Sequence, residues 1–259
     1  MTDARLTPDP KLVKTALPAR VCRPVVDLCR RPDGPRDRQL LLGAAVIKLN
    51  EADGWAYVQA VKDNYCGYVS TAALTETDSV PTHRVSVPAT HAYTSANLKS
   101  PDLLSLSYGS EVTVTATEGS FATTPHGFIP LTHLAPADHR HDDPAAVAAL
   151  FLGTPYLWGG NSRWGIDCSG LVQAALLACG APCPGDSDQQ ETSLGTAVTG
   201  PYRRNDLLFW KGHVALVSDD NTMIHANAHA MAVTYETIND AISRIEKAGD
   251  GPVTSHRRL

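Results

Sequence analysis

The sequence contains little of what marks membrane-spanning, disulfide-rich or nucleic-acid-binding proteins. No apolar run approaches the roughly 20 residues that a membrane-spanning helix requires. The net charge of −5 gives no support for binding to nucleic acid or to an anionic membrane. Residues 1–11 lack the apolar core of a secretory signal, and six cysteines in 259 residues are too few for a disulfide scaffold. We therefore expect a cytoplasmic protein whose cysteines are reduced.

The rest of the composition is that of an ordinary folded protein. Hydrophobic residues make up 43% of the chain and charged residues 19%, which is not the composition of a disordered chain. A length of 259 residues allows two or three domains, each with its own core.

The most distinctive stretch is residues 153–170, where a loop crowded with glycine, proline and tryptophan leads to Cys168. Apolar residues then follow at helical spacing, and Gly180 with Pro182 beyond it closes the predicted helix. The apolar face of this helix consists of Leu171, Val172, Ala175, Leu176 and Cys179. At a helix N-terminus, the macrodipole and the backbone N–H groups favour the thiolate form of Cys168. The pattern favours a nucleophile over the alternative, a buried structural cysteine.

A cysteine nucleophile needs a base, and two histidines lie on a predicted β-hairpin. If the hairpin loop has three residues, 219–221, residue 218 pairs with residue 222, and the numbers of every cross-strand pair sum to 440. His213 then pairs with position 227. His213 and His225 are then diagonal neighbours on one side of the sheet, about 7–8 Å apart. A two-residue loop would place them on opposite faces. We predict Cys168 as nucleophile, His213 as base and His225 as the residue that orients the base.

Five motifs follow one another over residues 140–259: Tyr156-Leu-Trp158-Gly-Gly, Asp167-Cys168-Ser169-Gly170, Asn-Asp206-Leu-Leu-Phe, Gly212-His213-Val and Met-Ile-His225-Ala. Together they resemble the NlpC-type papain-like cysteine peptidases, whose substrates are cell-wall peptides. The resemblance implies the same roles for Cys168, His213 and His225. It also implies that Tyr156 helps to stabilise the oxyanion. Asn205 departs from the pattern, because a glycine usually precedes the Asp-Leu pair; we expect this to change a turn and not the chemistry.

An internal repeat precedes these motifs. In one copy Gly67 stands seven residues before Leu74, and in the other Gly127 stands seven residues before Leu134. Both copies alternate apolar and polar residues over short stretches, with Gly, Asp or Asn at the breaks, which predicts small closed antiparallel barrels. The pattern resembles bacterial SH3-like domains, which often precede NlpC-type catalytic domains.

These observations predict an α+β protein in four segments. They are an extended arm at 1–16, a first SH3-like barrel at 17–78, a second at 79–136 and a papain-like domain at 137–259. In the last segment, we expect the nucleophile helix to pack on an antiparallel sheet.

The pair Asp186-Ser187 lies 18 residues beyond Cys168. By itself the pair indicates a helix N-cap. The resemblance implies more, because a cytoplasmic subgroup with two SH3-like domains has such a pair at this distance, where it holds the free α-amino group of the substrate. A carboxylate in a partly closed pocket suits an ammonium group and rejects an acylated amine. Three residues around the nucleophile are predicted to line the remaining walls, or only to support the loop: Trp158, Asp167 and Ser169.

In that subgroup the first barrel adds an acidic residue and a tyrosine to the same pocket, which makes the enzyme selective for a free N-terminal L-alanine. Tyr65 is the candidate for the tyrosine. Asp37 is the candidate for the acid, although a longer glutamate is usual there. For both residues an ordinary surface turn is the alternative.

The sequence and the resemblance together predict a monomeric cysteine endopeptidase. Its substrate would be a murein peptide, L-Ala-γ-D-Glu-diamino acid, cleaved at the γ-D-glutamyl–diamino acid bond during recycling or degradation of wall peptides. The thiolate of Cys168, paired with the imidazolium of His213, would attack the carbonyl carbon. Both meso-diaminopimelate and lysine fit as the diamino acid. The alternatives are an acyltransferase or amidase on the same scaffold, a hydrolase of intact peptidoglycan, and a wall-binding module without activity.

We expect no metal and no other cofactor. Four residues that could ligate a metal stand close together at the start of the catalytic segment, but they lack the spacing of a zinc site: His139, His141, Asp142 and Asp143.

Overall fold

The computed structural model describes residues 3–259. The chain divides into two compact units, one that ends at His139 and one that spans Arg140–Leu259. Each unit is described by itself.

The described residues of the first unit form short strands and two 3-10 turns, the latter at Thr71–Ala73 and Leu131–His133. The strands are β1 (Leu17–Val21), β2 (Val25–Cys29), β3 (Arg36–Leu41), β4 (Ala45–Ala52), β5 (Trp55–Ala60), β6 (Cys66–Ser70), β7 (Leu74–Glu76), β8 (His83–Val85), β9 (Ala89–Tyr93), β10 (Asp102–Ser107), β11 (Glu111–Val112), β12 (Ala116–Glu118), β13 (Phe121–Thr124), β14 (Gly127–Pro130) and β15 (Leu134–Pro136).

The first copy of the repeat forms one seven-stranded antiparallel sheet in the order β3-β2-β6-β5-β4-β1-β7. The second copy forms a five-stranded sheet, β10-β9-β14-β13-β12, and a three-stranded sheet, β11-β8-β15. Within residues 3–139, the first and last strands of each sheet do not pair with each other. The predicted closure into two barrels is therefore not confirmed, whereas the antiparallel strand structure is.

The two copies end in the same way, with a strand, a 3-10 turn and a short strand. β6 leads through the first 3-10 turn into β7, and β14 leads through the second into β15. Each copy has its own apolar cluster, because successive side chains of a strand face opposite sides. In β5, for example, Ala56, Val58 and Ala60 are fully buried, while Trp55 and Gln59 remain partly exposed.

The described part of the predicted arm, residues 3–16, forms turns that pack on the first sheet. Leu6 and Leu12 contact buried apolar residues of that sheet. The backbone N–H of Asp9 donates to the hydroxyl of Tyr57 at 3.1 Å. The first two residues of the predicted arm lie outside the described residues.

The second unit contains helices α1 (Pro144–Ala149), α2 (Cys168–Ala178), α3 (Ser187–Ser193) and α4 (Ile238–Lys247). Its strands are β16 (Asn161–Ser162), β17 (Gly165–Ile166), β18 (Thr196–Ala197), β19 (Leu207–Trp210), β20 (His213–Val217), β21 (Thr222–Asn227), β22 (Ala232–Thr237) and β23 (Ser255–Arg258). Six of them form an antiparallel sheet in the order β18-β23-β19-β20-β21-β22. Helix α2 packs against β20 and β21, as predicted for the nucleophile helix.

Helix α2 begins and ends where the sequence predicts. Asp167 is its N-cap, and the carboxylate accepts a hydrogen bond from the backbone N–H of Gly170 at 2.6 Å. Cys179 is the C-cap, and Gly180 follows with a φ of +79°, a conformation that glycine adopts at no steric cost. Four of the five predicted apolar residues are buried, whereas Cys179 at the C-cap is partly exposed; the four are Leu171, Val172, Ala175 and Leu176.

The hairpin of β20 and β21 has the predicted register. Leu216 pairs with Ile224 and Val217 with Met223, so that paired numbers sum to 440. The backbone N–H of Ser218 donates to the carbonyl of Thr222 at 2.8 Å and closes the odd-numbered loop. His213 and His225 therefore lie on the same side of the sheet.

The turn before β19 explains the residue that departs from the peptidase pattern. Asn205 has a φ of +73°, in the left-handed region that glycine, and among other residues asparagine, tolerates best. Its side-chain oxygen also accepts from the backbone N–H of Ala145, in the first turn of α1, at 2.9 Å. Asparagine thus supplies both the turn and a hydrogen bond that glycine lacks.

The chain is confirmed as a mixed α and β protein in which the strand-rich part precedes the part with helices packed on a sheet. Every helix within residues 3–259 is too short or too polar to cross a membrane.

Candidate active site

Cys168 is the first residue of α2 and is 7% exposed. The loop before it is fixed to the first turn of the helix by the carboxylate of Asp167, which also accepts from the backbone N–H of Gly159 at 2.9 Å. The loop lies so close to the helix that a Cβ added at Gly170 would stand 2.6 Å from the carbonyl oxygen of Gly160. These contacts explain why glycine is frequent around the nucleophile and hold Cys168 at the helix N-terminus.

The two predicted histidines are hydrogen-bonded to each other. Nε2 of His213 lies 2.9 Å from Nδ1 of His225, and the ring centroids are 5.2 Å apart. His213 is the first residue of β20 and is partly exposed, whereas the side chain of His225 is completely buried. The structure thus brings together the predicted base and its orienting residue, on the two strands against which α2 packs. Their catalytic roles stay predictions.

Behind His225 lies a charged pair that sequence reasoning missed. Nε2 of His225 is 3.0 Å from Oε2 of Glu236 in β22. Glu236 in turn accepts from Arg244 of α4, at 2.8 Å from Nε and 2.7 Å from Nη2. No motif marks Glu236; only the register of β21 and β22, which pairs Met223 with Glu236, places it two positions diagonal to His225.

The surroundings of the histidines favour their neutral forms. Burial, the neighbouring His225 and Arg244 lower the pKa of His213, against the opposing effect of Glu236. Burial likewise lowers the pKa of His225, although Glu236 acts in the opposite direction. Hydrogen bonds from Arg244 hold the pKa of the Glu236 carboxyl below its ordinary value. At neutral pH the cluster therefore consists of two neutral rings and a carboxylate–guanidinium pair.

Tyr156 and Trp158 lie on the loop that leads to the nucleophile. Burial raises the pKa of the Tyr156 phenol, and the nearby Cys168 and Asp167 raise it further, so the hydroxyl keeps its proton and is able to donate a hydrogen bond. This is the property that an oxyanion stabiliser needs. The side chain of Trp158 is 69% exposed, so it is available as a wall of the site.

The other two predicted wall residues are buried in a local network. Ser169 is 5% exposed, and its hydroxyl donates to Asp167, which is 7% exposed, at 3.2 Å. These contacts fit the alternative in which both residues support the loop. Their contact with substrate stays a prediction.

Asp186 occupies the N-cap of α3, as the simpler interpretation of the Asp-Ser pair predicts. Its backbone N–H donates to Oε1 of Gln189 at 3.3 Å, and it is partly exposed, while Ser187 is 9% exposed. The same helix is tied to the nucleophile, because Nε2 of the buried Gln190 donates to the carbonyl of Ser169 at 2.9 Å. The Asp-Ser pair therefore lies on an element that contacts the first turn of α2.

The two candidates in the first unit are in different environments. Asp37 accepts from Arg30, with 2.6 Å between Oδ1 and Nη2. Tyr65 is 3% exposed and belongs to the apolar core of the first sheet, so it is not the residue of an ordinary surface turn. Their role in substrate selection stays a prediction.

Within residues 3–259, no group of three or more histidine, cysteine or carboxylate side chains is arranged to hold a metal ion. Asp143, one of the residues considered in the sequence, instead caps α1 and pairs with Arg204.

Comparison with known proteins finds a family match within each unit. Residues 153–247 match the NlpC/P60 family, and residues 28–74 match the bacterial dipeptidyl-peptidase SH3 domain. The chain is 28% identical over 229 residues to a γ-D-glutamyl-L-lysine dipeptidyl-peptidase of Bacillus subtilis, a match that covers 79% of this chain and 76% of the relative. A protein of the same name from Bacillus cereus is 37% identical over a 107-residue alignment; the match covers 38% of this chain and 32% of the relative. In fold, the chain is similar to a crystal structure of an NlpC/P60 family protein from Bacillus cereus, with a TM-score of 0.79, 22% identity, and coverage of 93% of this chain and 99% of the other.

The matched families, together with the nucleophile helix and its histidine pair, define a cysteine peptidase. The second unit contains an NlpC/P60 domain, and the first contains a bacterial dipeptidyl-peptidase SH3 domain.

Proposed function

We propose that the protein is an endopeptidase that hydrolyses the γ-D-glutamyl–diamino acid bond of murein peptides with a free N-terminal L-alanine. The observation that carries this proposal is the combination of the His213–His225 pair beside α2 with the similarity to two relatives named γ-D-glutamyl-L-lysine dipeptidyl-peptidase. Lysine in that name makes a lysine peptide a substrate to test alongside the diaminopimelate peptide.

The geometry supports the following sequence of steps. Sγ of Cys168 attacks the γ-glutamyl carbonyl carbon, and the thiol proton passes to Nδ1 of His213. The other ring nitrogen of His213, Nε2, is hydrogen-bonded to His225. The oxyanion lies at the N-terminus of α2, where the backbone N–H of Cys168 and the hydroxyl of Tyr156 donate to it. His213 then protonates the leaving amine, and water deprotonated by His213 hydrolyses the thioester. Because burial favours the neutral form of His213, we propose proton transfer from Cys168 to His213 as the first step.

Recognition of the free amine is assigned to Asp186. Its carboxylate stands at the start of a helix that contacts Ser169, the residue after the nucleophile. A carboxylate partnered with an ammonium group forms a charge-assisted hydrogen bond, and an acetylated amine cannot form it.

We further propose that the enzyme acts as a monomer on small imported peptides in the cytoplasm, in recycling or degradation of wall peptides.

The test is incubation with L-Ala-γ-D-Glu-meso-diaminopimelate, its lysine counterpart and the N-acetylated form of each, with products followed by mass spectrometry. We expect cleavage of the free peptides only, and none by Cys168→Ala. Cys179→Ala, at the other end of α2, is the matched control and should retain activity.

A second variant tests the amine contact alone. Asp186→Asn keeps an N-cap residue of equal quality and removes the charge, so the helix should be unaffected while the preference for the free amine is lost. Asp188→Asn, on the exposed side of the same helix, serves as control. Equal cleavage of free and acetylated peptides by the wild type would contradict the amine contact and point to intact peptidoglycan, and products extended by an added amine would point to a transferase.

A further inference from the structure

Four consecutive elements of the second unit each contribute one side chain to a continuous chain of hydrogen bonds. His213 comes from β20, His225 from β21, Glu236 from β22 and Arg244 from α4. The successive contacts are 2.9 Å, 3.0 Å and 2.7 Å long. His225 is completely buried, and the side chains of Glu236 and Arg244 are only 20% and 26% exposed.

The direction of each hydrogen bond in this chain follows from its last member. A guanidinium has donors only, and a carboxylate has acceptors only. Glu236 accepts from Arg244, so it must also accept from Nε2 of His225, which therefore carries the proton. In neutral His225 the other nitrogen, Nδ1, is then a bare acceptor, and Nε2 of His213 must donate to it. Neutral His213 is left with its lone pair on Nδ1.

We propose that Glu236, held by Arg244, is a positioning residue that sets the tautomers of His225 and His213, so that Nδ1 of His213 is the atom that receives the proton of Cys168. The inference rests on the proposed role of His213 as the base. When the proton moves from Sγ to Nδ1, His213 becomes an imidazolium with protons on both nitrogens. The hydrogen bond to His225 keeps its direction, so no rearrangement of the chain accompanies the step.

The first test is Glu236→Met, which keeps the length of the side chain and removes both acceptor oxygens. We expect kcat to fall about 10- to 100-fold with KM little changed, by analogy with the loss of a hydrogen-bond partner that orients a metal-ligating histidine. Glu246→Met makes the same chemical change at an exposed position of α4 and should leave kcat unaltered. An equal, small effect of both variants would overturn the proposal.

The second test does not depend on any substrate. In the histidine 15N NMR spectrum at pH 7.5, the wild type should show His213 and His225 both protonated at Nε2 and bare at Nδ1. Glu236→Met should shift part of either ring to the other tautomer. A wild-type His213 protonated at Nδ1 would overturn the proposal even if the peptide is cleaved. The rate at which iodoacetamide alkylates Cys168, followed by peptide mass spectrometry, should fall about tenfold or more in Glu236→Met.

The third test separates positioning from general structural support. Asparagine at position 225 presents an acceptor oxygen at the same side-chain depth as Nδ1 of histidine, and that oxygen needs no carboxylate to fix it. In a His225→Asn background, Glu236→Met should therefore have no further effect on the alkylation rate. The same loss in both backgrounds would show that Glu236 acts through the fold and not through His225. Thermal unfolding of each variant confirms that it is folded at the assay temperature.

If neither peptide is cleaved while the tautomers and alkylation rates behave as expected, the substrate assignment fails and the positioning role stands.

Discussion

The sheet of the second unit contains two networks of the same composition, each a carboxylate that binds one histidine and one arginine. In one network, Asp206, the residue before β19, accepts from Nε2 of His256 at 2.7 Å. It also accepts from Nε and Nη2 of Arg258 at 2.8 and 2.7 Å. In the other network, Glu236 accepts from His225 and Arg244 with nearly the same distances. The two sets of contacts are chemically almost interchangeable.

They differ in what lies on the far side of the histidine. The ring of His256 packs against Tyr202, with 5.1 Å between the ring centroids. Its strand, β23, pairs with β19 in antiparallel orientation. The ring of His225 is instead hydrogen-bonded to a second histidine, His213, at the start of β20. One network therefore ends in a packing contact and the other in a titratable ring beside the nucleophile helix. The residue types in such a cluster do not reveal its role. The residue that the histidine contacts on the side away from the carboxylate does.

The largest expected effect is on catalysis, and it should be confined to one network. His225→Ala removes the acceptor that orients His213, and we expect kcat/KM to fall about 10²- to 10⁴-fold, the usual value of general acid–base catalysis. His256→Ala, the matched change in the other network, should leave kcat/KM within about threefold at a temperature where the variant is folded. Peptide hydrolysis followed by mass spectrometry measures both. A large loss of kcat/KM in folded His256→Ala would break the comparison.

The second effect is on stability, and it should favour the other network. Asp206 is 1% exposed and holds the last strand, so Asp206→Asn should lower the free energy of unfolding by about 3 kcal/mol, as when one partner of a buried ion pair is removed. Burial alone would raise the pKa of the Asp206 carboxyl, but hydrogen bonds from Arg258 and His256 hold it below its ordinary value.

Because the folded pKa of Asp206 is depressed, its contribution is fully present above the unfolded value of about 3.9 and is lost as the pH falls through the folded value. Urea unfolding of wild type and Asp206→Asn at pH 7 and pH 3 tests both statements. A difference in stability that is as large at pH 3 as at pH 7 would contradict the assignment to the carboxylate.

The third prediction concerns pH and sharpens the description of the catalytic network. His213 must be neutral to accept a proton, and burial, His225 and Arg244 lower its pKa despite Glu236. The acid limb of kcat/KM should therefore lie below the ordinary histidine pKa of about 6.5. A pH–rate profile from pH 4 to 8 measures it, and an acid limb at or above pH 6.5 would show that His213 is not held neutral.

The smallest effect is expected at the turn that leads into the structural network. Asn205 has a φ of +73°, so Asn205→Gly should cost at most about 1 kcal/mol, the value of its lost hydrogen bond to α1. Asn205→Ala should cost about 1–2 kcal/mol more, because alanine is strained in the left-handed region. Thermal unfolding measures which of the two variants is less stable. Equal stabilities would show that residue 205 no longer adopts the left-handed conformation in Asn205→Ala.

Local patterns in the sequence were sufficient wherever the structure depends on neighbours along the chain. The N-cap at Asp167, the buried face of α2 and the glycine that ends it follow from helical spacing and capping. For the β20–β21 hairpin, the sequence left a three-residue and a two-residue loop open. The structure has the register of the three-residue loop, which brings His213 and His225 together.

The tertiary structure decided what depends on contacts between distant segments. Glu236 and Arg244 meet His225 only through the pairing of β22 and the packing of α4, and no spacing along the chain encodes that meeting. The openness of the sheets in the first unit, and the burial of Tyr65 in their core, likewise depend on pairing and packing across the whole unit. Sequence alone thus placed the predicted catalytic residues on their helix and strands, because caps and periodicity are local. The fold decided which charged residues contact them, because hydrogen bonds join whatever residues packing brings together.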